Sequence, residues 1–475
     1  MPPKSNAQQD HAWFENTRVK TRFGEFSFKN GFPDSDSADR LAQMMTFNRA
    51  VEIYQHHLAA VSMFQFRRGL AEFGAQSSHQ VVVWESLLDA HTLLLTGNSE
   101  TVYLIGFLDL KQDGPTVVEA PAGMLGVLDD MWMRFVGDVG PTGQDKGQGG
   151  KYLVLPPGYD GEVPSDHFVL RSPTFGVWML LRAIDPKPAD AAARSKRLRV
   201  YPLARASNPP PMQFLDGSGQ AIDTIAPDDY RFFEQLGALV EQEPPDAVLP
   251  MERFYLTQIG MQFGQPFEPD AKLRELLSEA AVVGQAAARA NGFAYRAPGA
   301  LIYESRQWQW AFVGGSYTFS PLGYPNPDLR SGFAYSATGN TPAMAMKIVG
   351  AGSQYIWTCR DATGDYLDGA RRYRLRIPAG VPVKDFWSVV VYDAASRSML
   401  QNGQAFPTVS QYTGPEVNAD GSVDIDFGPE APAGREKNWI RTLEGKGWFP
   451  ILRFYGPTEA FFDKTWIPAD IERQA

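Results

Sequence analysis

The segment 386–457 constrains the fold most, because few architectures accept its pattern. One run reads Phe386-Trp387-Ser388-Val389-Val390-Val391-Tyr392-Asp393. A closing run reads Phe449-Pro450-Ile451-Leu452-Arg453-Phe454-Tyr455-Gly456-Pro457, with Asn438-Trp439 ahead of it. Gly and Pro breaks and the turn Asn418-Ala419-Asp420-Gly421 lie between. Short alternating β-branched and aromatic runs between such breaks predict an all-β sandwich. From Met346 the same grammar already holds. Ser353 to Cys359 places Tyr355, Trp357 and Cys359 on one face, and Tyr373 to Ile377 and Val423 to Phe427 add strands. Pairing between runs so far apart suits a jelly roll.

Residues 80–185 repeat this grammar. Val81 to Trp84, Thr101 to Leu108, Thr116 to Glu119 and Tyr152 to Leu155 read as strands, separated by Asp113-Gly114-Pro115, Pro156-Pro157-Gly158 and Asp160-Gly161. They predict a second β domain of the sandwich kind. Gly137 to Gly150 has the composition of an exposed loop.

Helical periodicity fills the rest. Asp34 to Ser37 offers capping oxygens, and Leu41, Met44, Met45, Ala50, Val51, Tyr54 and Leu58 recur at three- and four-residue steps. A helix is predicted over 36–60, extending toward Glu72 with a break. Further helices are expected after Ala226-Pro227-Asp228-Asp229, over 250–259, and from Pro269-Asp270 to Asn291-Gly292. Residues 295–345 predict mixed loop and helix. The expected division is an N-terminal arm and helix over 1–75, a β domain over 76–190, a connector and helical section over 191–345, and a jelly-roll domain over 346–475. The fold class is mainly β with a small helical bundle.

Bulk properties limit function. Length, 475 residues, suits roughly three domains. Net charge is −10, and the only basic run, Arg194 to Arg199, is short, so nucleic-acid binding is not expected. The single Cys359 gives no intrachain disulfide framework. Met1 to Asn16 shows no apolar leader, and no run of about 18 apolar residues predicts a membrane span. A soluble, cytoplasmic protein is the expectation. Trp13, Phe14, Phe23, Phe26 and Phe28 make the arm apolar enough to pack on a second copy, so a homo-oligomer is expected.

Several runs also carry a family resemblance. Glu100-Thr101-Val102-Tyr103, Val127-Leu128-Asp129-Asp130-Met131-Trp132, and Arg171-Ser172-Pro173-Thr174 followed by Val177-Trp178 resemble domain-of-unknown-function family 1254. The stretch from Phe386-Trp387-Ser388 to Tyr455-Gly456-Pro457 resembles its usual companion, domain-of-unknown-function family 1214, and Tyr335 to Met344 resembles a run seen before that second domain. The resemblance covers most of residues 36–460. It implies an immunoglobulin-like β-sandwich, a helical section and a C-terminal jelly-roll β-sandwich, and no agreed activity. Relatives often carry Asn-Asn-Asp-Thr where this chain has Asn98-Ser99-Glu100-Thr101, so any acidic role falls to Glu100. Many relatives are exported.

Chemistry-bearing residues are sparse. The histidines are His11, His56, His57, His79, His91 and His167. His56 and His57 project about 100° apart on a helix, which does not suit a shared metal. No metal or cofactor is expected. His167 precedes Arg171 by four and is a candidate cleft residue. Cys359 reads as a buried thiol, and no nucleophile elbow is present. Acid–base chemistry needs carboxylates perturbed by burial or by a like charge. Glu100, Asp109, Asp129 and Asp130 lie beside aromatic strand-like runs, although Asp129-Asp130 also suits a turn that binds backbone amides. Arg171 reads either as a clamp paired to Glu100 or Asp130, or as an anchor for an anionic or polyhydroxylated substrate. Trp387, Tyr392, Trp439, Arg453 and Tyr455 read either as core or as a platform for sugar faces and apolar rings.

Two functions follow. The first is a hydrolase or lyase acting on a small polar organic or sugar-like substrate between the two β domains. Glu100, Asp130 and Tyr103 would be catalytic, with Arg171, Trp132, His167, Asn438, Trp439 and Arg453 binding substrate. The second is a non-catalytic small-molecule, carbohydrate-binding or assembly protein.

Overall fold

The computed structural model describes residues 18–185, 187–294 and 296–474. The chain is mainly β, with two sandwiches and a helical layer between them. In the first sandwich, a four-stranded sheet (Phe168–Arg171, Gly150–Leu155, Thr116–Ala120, Arg199–Pro202) packs on a six-stranded one. The larger sheet runs Gln213–Asp216, Gln80–Val83, Tyr103–Asp109, Gly176–Ala183, Met124–Asp130, Phe135–Val139. In the second sandwich, the five-stranded sheet runs Gln309–Trp310, Ser353–Trp357, Trp448–Pro457, Val383–Asp393, Thr408–Ser410. It packs on Trp439–Arg441, Val423–Gly428, Tyr373–Ile377 and Glu472–Arg473.

Strand alternation sorts side chains between cores. On Gly176–Ala183, Val177, Met179 and Leu181 enter the first sandwich, while Trp178 and Leu180 face the helices. On Trp448–Pro457, Leu452 and Phe454 enter the second sandwich, while Phe449 and Ile451 face the helices. The larger sheet of each sandwich is therefore apolar on both faces. The helical layer covers the two faces that would otherwise meet water.

The longest helix, Ser35–Phe73, has no break. Asp34 Oδ1 caps it by accepting from the Ser37 amide at 2.7 Å, and Gly74, at a φ of 123°, ends it. From Ala50 to Leu70 its side chains are buried on most sides. That burial erases the amphipathic stripe and offsets the weak propensity of Gly69. The 137–150 stretch is also more ordered than its composition predicts. It begins in a strand, and the buried Asp145 accepts from the Gly140 and Gly149 amides and the Tyr152 hydroxyl. Of the arm's aromatic residues, Trp13 and Phe14 lie outside the described residues, as does His11. Phe26 is buried beneath Arg40 of the long helix, and Phe23 is exposed.

The long helix packs closely on the helix Ala271–Phe293. Gln55 Nε2 donates to the Gly284 carbonyl at 2.6 Å. A Cβ on Gly284 would stand 2.5 Å from Tyr54 Cγ, on a ring stacked against Phe232. Gly284→Ala is expected to lower stability in urea by about 1–3 kcal/mol. An unchanged midpoint would show that the two helices separate freely.

Candidate functional site

A cavity of about 80 Å³ lies where the two helix-facing sheet surfaces converge. A single water needs roughly 10–15 Å³, so the space takes several water-sized groups. One wall is the first sandwich, through Tyr103, Val127, Trp178, Leu180 and Arg182. The opposite wall is the second, through Tyr355, Trp357, Ile451 and Arg453. The loop 94–98 and the helical layer, with Phe312 and Phe333, complete it.

Arg182 continues the helix-facing series Trp178, Leu180, and its Cα pairs across the sheet with Tyr103. Arg453 continues the series from Ile451 and pairs with Tyr355 and Ser388. Arg453 is buried and engaged. Nη1 donates to the Tyr392 hydroxyl at 2.6 Å, and Nη2 donates to the Thr96 carbonyl at 2.5 Å. The Tyr392 hydroxyl in turn donates to the Gly97 carbonyl at 2.6 Å. Burial alone would lower the Arg453 pKa, but the oxygens of Tyr392, Tyr455, Glu100 and Tyr103 more than offset it, so the guanidinium stays charged.

Arg182 differs. Among the described residues its side chain makes no hydrogen bond or ion pair, and its buried Nε has no partner. Its guanidinium carbon lies 6.0 Å from the Tyr455 ring centre. Burial and the repulsion of Arg453 lower its pKa, but the oxygens of Tyr103, Tyr355 and Tyr455 more than offset them, so it too stays charged. The indole Nε1 of Trp178, on the same wall, is also buried and unpaired. Burial raises the Tyr103 hydroxyl above its ordinary pKa despite the pull of Arg182 and Arg453, and raises Tyr455 further. Both are neutral hydrogen-bonding groups near neutral pH.

Of the residues singled out in sequence, Tyr103 and Arg453 line the cavity. Glu100 sits just behind it, accepting from Thr408 Oγ1 at 2.9 Å and Ser99 Oγ at 3.2 Å, with Oε2 buried and unpaired. The others lie elsewhere. Asp130 accepts from the amides of Trp132 and Arg134 and, at 2.6 Å, from Arg134 Nε. It closes a turn, as the alternative reading held. Arg171 is exposed and donates to the Tyr159 carbonyl at 3.3 Å. The expected clamp with Glu100 or Asp130 is not formed, because Arg171 belongs to an edge strand of the outer, four-stranded sheet. Trp132 donates from Nε1 to His57 Nδ1 at 3.0 Å inside the helical core. His167 pairs with Asp166 at 2.8 Å. Asn438 pins the Glu416 backbone, and Trp439 Nε1 donates to the Gly428 carbonyl, both on the outer sheet of the second sandwich. The imagined platform is split by parity, with Trp387 inside the sandwich and Tyr392 on the helix-facing side.

Sequence reading missed Arg182 and Trp178. The signal was present, because a cation at the end of the apolar series Trp178-x-Leu180-x-Arg182 is as out of place as Arg453 in its own strand.

Residues 79–202 match the family described as protein of unknown function DUF1254, and residues 352–459 match the one described as protein of unknown function DUF1214. The chain carries both, in that order. The DUF1254 segment supplies Tyr103, Trp178 and Arg182, and the DUF1214 segment supplies Tyr355, Tyr392 and Arg453, so the cavity lies at their seam. No curated protein matches the chain. Among solved structures, the VPA0106 protein from Vibrio parahaemolyticus is 18% identical, with a TM-score of 0.56 over 90% of this chain and 100% of its own. It shares the fold. An uncharacterized protein from Burkholderia cenocepacia is 13% identical, with a TM-score of 0.40 over 92% of this chain and 95% of its own. Among the described residues, no helix is long and apolar enough to cross a membrane.

Proposed function

We propose that this protein binds a small organic anion between its two sandwiches, with the anionic group at Arg182 beside Arg453. The observation that carries this reading is the unpaired Arg182. Arg182 is half-buried and its buried Nε has no partner. An unsatisfied buried donor costs about 1–3 kcal/mol, so a ligand that brings an acceptor is favoured there. Carboxylates are the usual partners of guanidinium, and here neither cavity arginine has one within ion-pair distance among the described residues. The aromatic and aliphatic walls favour an apolar body over a sugar-like one.

Acid–base turnover as a hydrolase or lyase would draw on the same pocket, with neutral Tyr103 giving a proton and Glu100 receiving one. Binding needs fewer assumptions, since no Ser, Cys or His is among the described residues that line the cavity. The test is a thermal-shift screen of organic acids against their neutral amides, followed by proton NMR of each hit. Acids that raise the melting temperature while their amides do not are expected. Equal shifts from amides would sink the anion site, and consumption of a hit would move the reading to the enzyme.

A further inference from the structure

We infer that the ligand is a monocarboxylate with a compact apolar body, a conclusion that rests on the anion site proposed above. Among the described residues that line the cavity, the buried polar side-chain atoms left unpaired are Arg182 Nε and Trp178 Nε1. Arginine and tryptophan side chains only donate, so their complement is a group that only accepts. An ionised carboxylate is such a group, whereas an alcohol, ammonium or amide brings donors that need acceptors of their own.

The acceptors of the 96–98 loop are already in use, which leaves, among the described side chains lining the cavity, only the hydroxyls of Tyr103, Tyr355 and Thr338 to receive a ligand's donor. The Thr96 and Gly97 carbonyls receive Arg453 and Tyr392. Asn98 Oδ1 receives the Glu100 and Thr101 amides and the Thr101 hydroxyl, and Asn98 Nδ2 donates to the Tyr455 hydroxyl.

The charge balance sets the valence. Two guanidinium groups face the cavity, and the Glu100 carboxylate acts on Arg453 from behind it. One positive charge is thus left to be met. The unpaired Glu100 Oε2 would repel a second negative charge brought near it. The body is set by the walls, where Leu94, Trp178, Phe312, Phe333 and Ile451 leave room for a short branched chain or one ring.

Isothermal titration of the full chain with benzoate, isovalerate, benzamide, succinate, lactate and inorganic phosphate tests this. Benzoate or isovalerate is expected to bind at least ten-fold more tightly than benzamide, succinate, lactate or phosphate. Trp178→Phe, which removes the indole donor and keeps an aromatic ring, is expected to weaken benzoate or isovalerate about ten-fold, the loss of one charge-assisted hydrogen bond. Binding of succinate, lactate or phosphate as tight as that of the monocarboxylates would overturn the monocarboxylate assignment and leave the anion site standing. Benzamide binding as tightly as benzoate, or no binding by any of the anions, would overturn both. Unchanged affinity in a folded Trp178→Phe protein would overturn the donor argument, and the wild-type panel decides the ligand class even if that variant does not fold.

Discussion

Arg182→Met is expected to be at least as stable as the wild-type protein without ligand, and to lose every anion-dependent shift. Two effects compete at this position. The substitution removes a cation–π contact with Tyr455 at 6.0 Å, worth about 0.5–2 kcal/mol. It also removes a half-buried charge whose buried Nε has no hydrogen-bond partner, an unsatisfied donor that costs about 1–3 kcal/mol. The second effect is the larger. Met follows the arginine stem and leaves no polar atom unpaired, because no hydrogen bond among the described residues depends on the Arg182 side chain. Arg453→Met is the contrasting case. It strips donors from the Tyr392 hydroxyl and the Thr96 and Gly97 carbonyls, and it unfastens the 94–98 loop from the second sandwich. A loss of about 3–5 kcal/mol is expected. Urea midpoints of the two variants, with and without benzoate, make the comparison. Similar losses at both positions would mean that Arg182 is a structural clamp, and the anion site would fall with it.

The contrast between these arginines also shows what sequence can and cannot deliver. Both sit in strands whose alternation is legible, and both break an apolar series. Arg453 is conspicuous because Phe449 to Tyr455 is otherwise apolar on both sides. Arg182 stands one residue before the end of its strand, where a charge is commonly exposed, and the second sandwich arriving from about 270 residues later half-buries it. Glu100 and Tyr103 were legible as a polar, aromatic cluster. The clamp expected of Arg171 does not form because strand order, which places that residue on an outer edge, is not written in local pattern. The long helix shows the same limit from the other side. Its second half lost its periodicity because most of its faces are covered, and such burial looks locally like a break.

Two buried groups of the core should titrate with opposite effects on stability. His57 Nδ1 accepts from Trp132 Nε1 at 3.0 Å, so the ring proton sits on Nε2, which is buried and unpaired. Burial, against the attraction of Glu252 and with repulsion from His56, Arg330 and Arg134, lowers its pKa from 6.5 to about 3. Between these values the unfolded chain binds the proton and the folded chain does not. Stability from His57 is therefore complete above pH 6.5 and is lost as pH falls toward 3. Over two units the loss is about 3 kcal/mol.

Glu243 behaves in reverse. It accepts from the Phe175 and Gly176 amides, yet burial dominates and raises its pKa from 4.5 to about 7. The folded chain holds this proton longer, so stability is complete below pH 4.5 and is lost as pH rises through 7, again by about 3 kcal/mol. Asp129 and Asp138, raised by burial, act in the Glu243 direction. They are common to wild type and variants, so they cancel in a comparison. His57→Asn keeps an acceptor near the Nδ1 position and cannot titrate. Relative to wild type it should gain about 3 kcal/mol between pH 6.5 and 4.5. Glu243→Gln should gain about as much in the opposite sense, between pH 4.5 and 7. Urea denaturation at pH 4.5, 5.5 and 7 reads both. A gap between variant and wild type that stays constant with pH would show that the group keeps its ordinary pKa in the fold. For His57, that outcome would mean the Trp132 hydrogen bond does not hold the ring neutral.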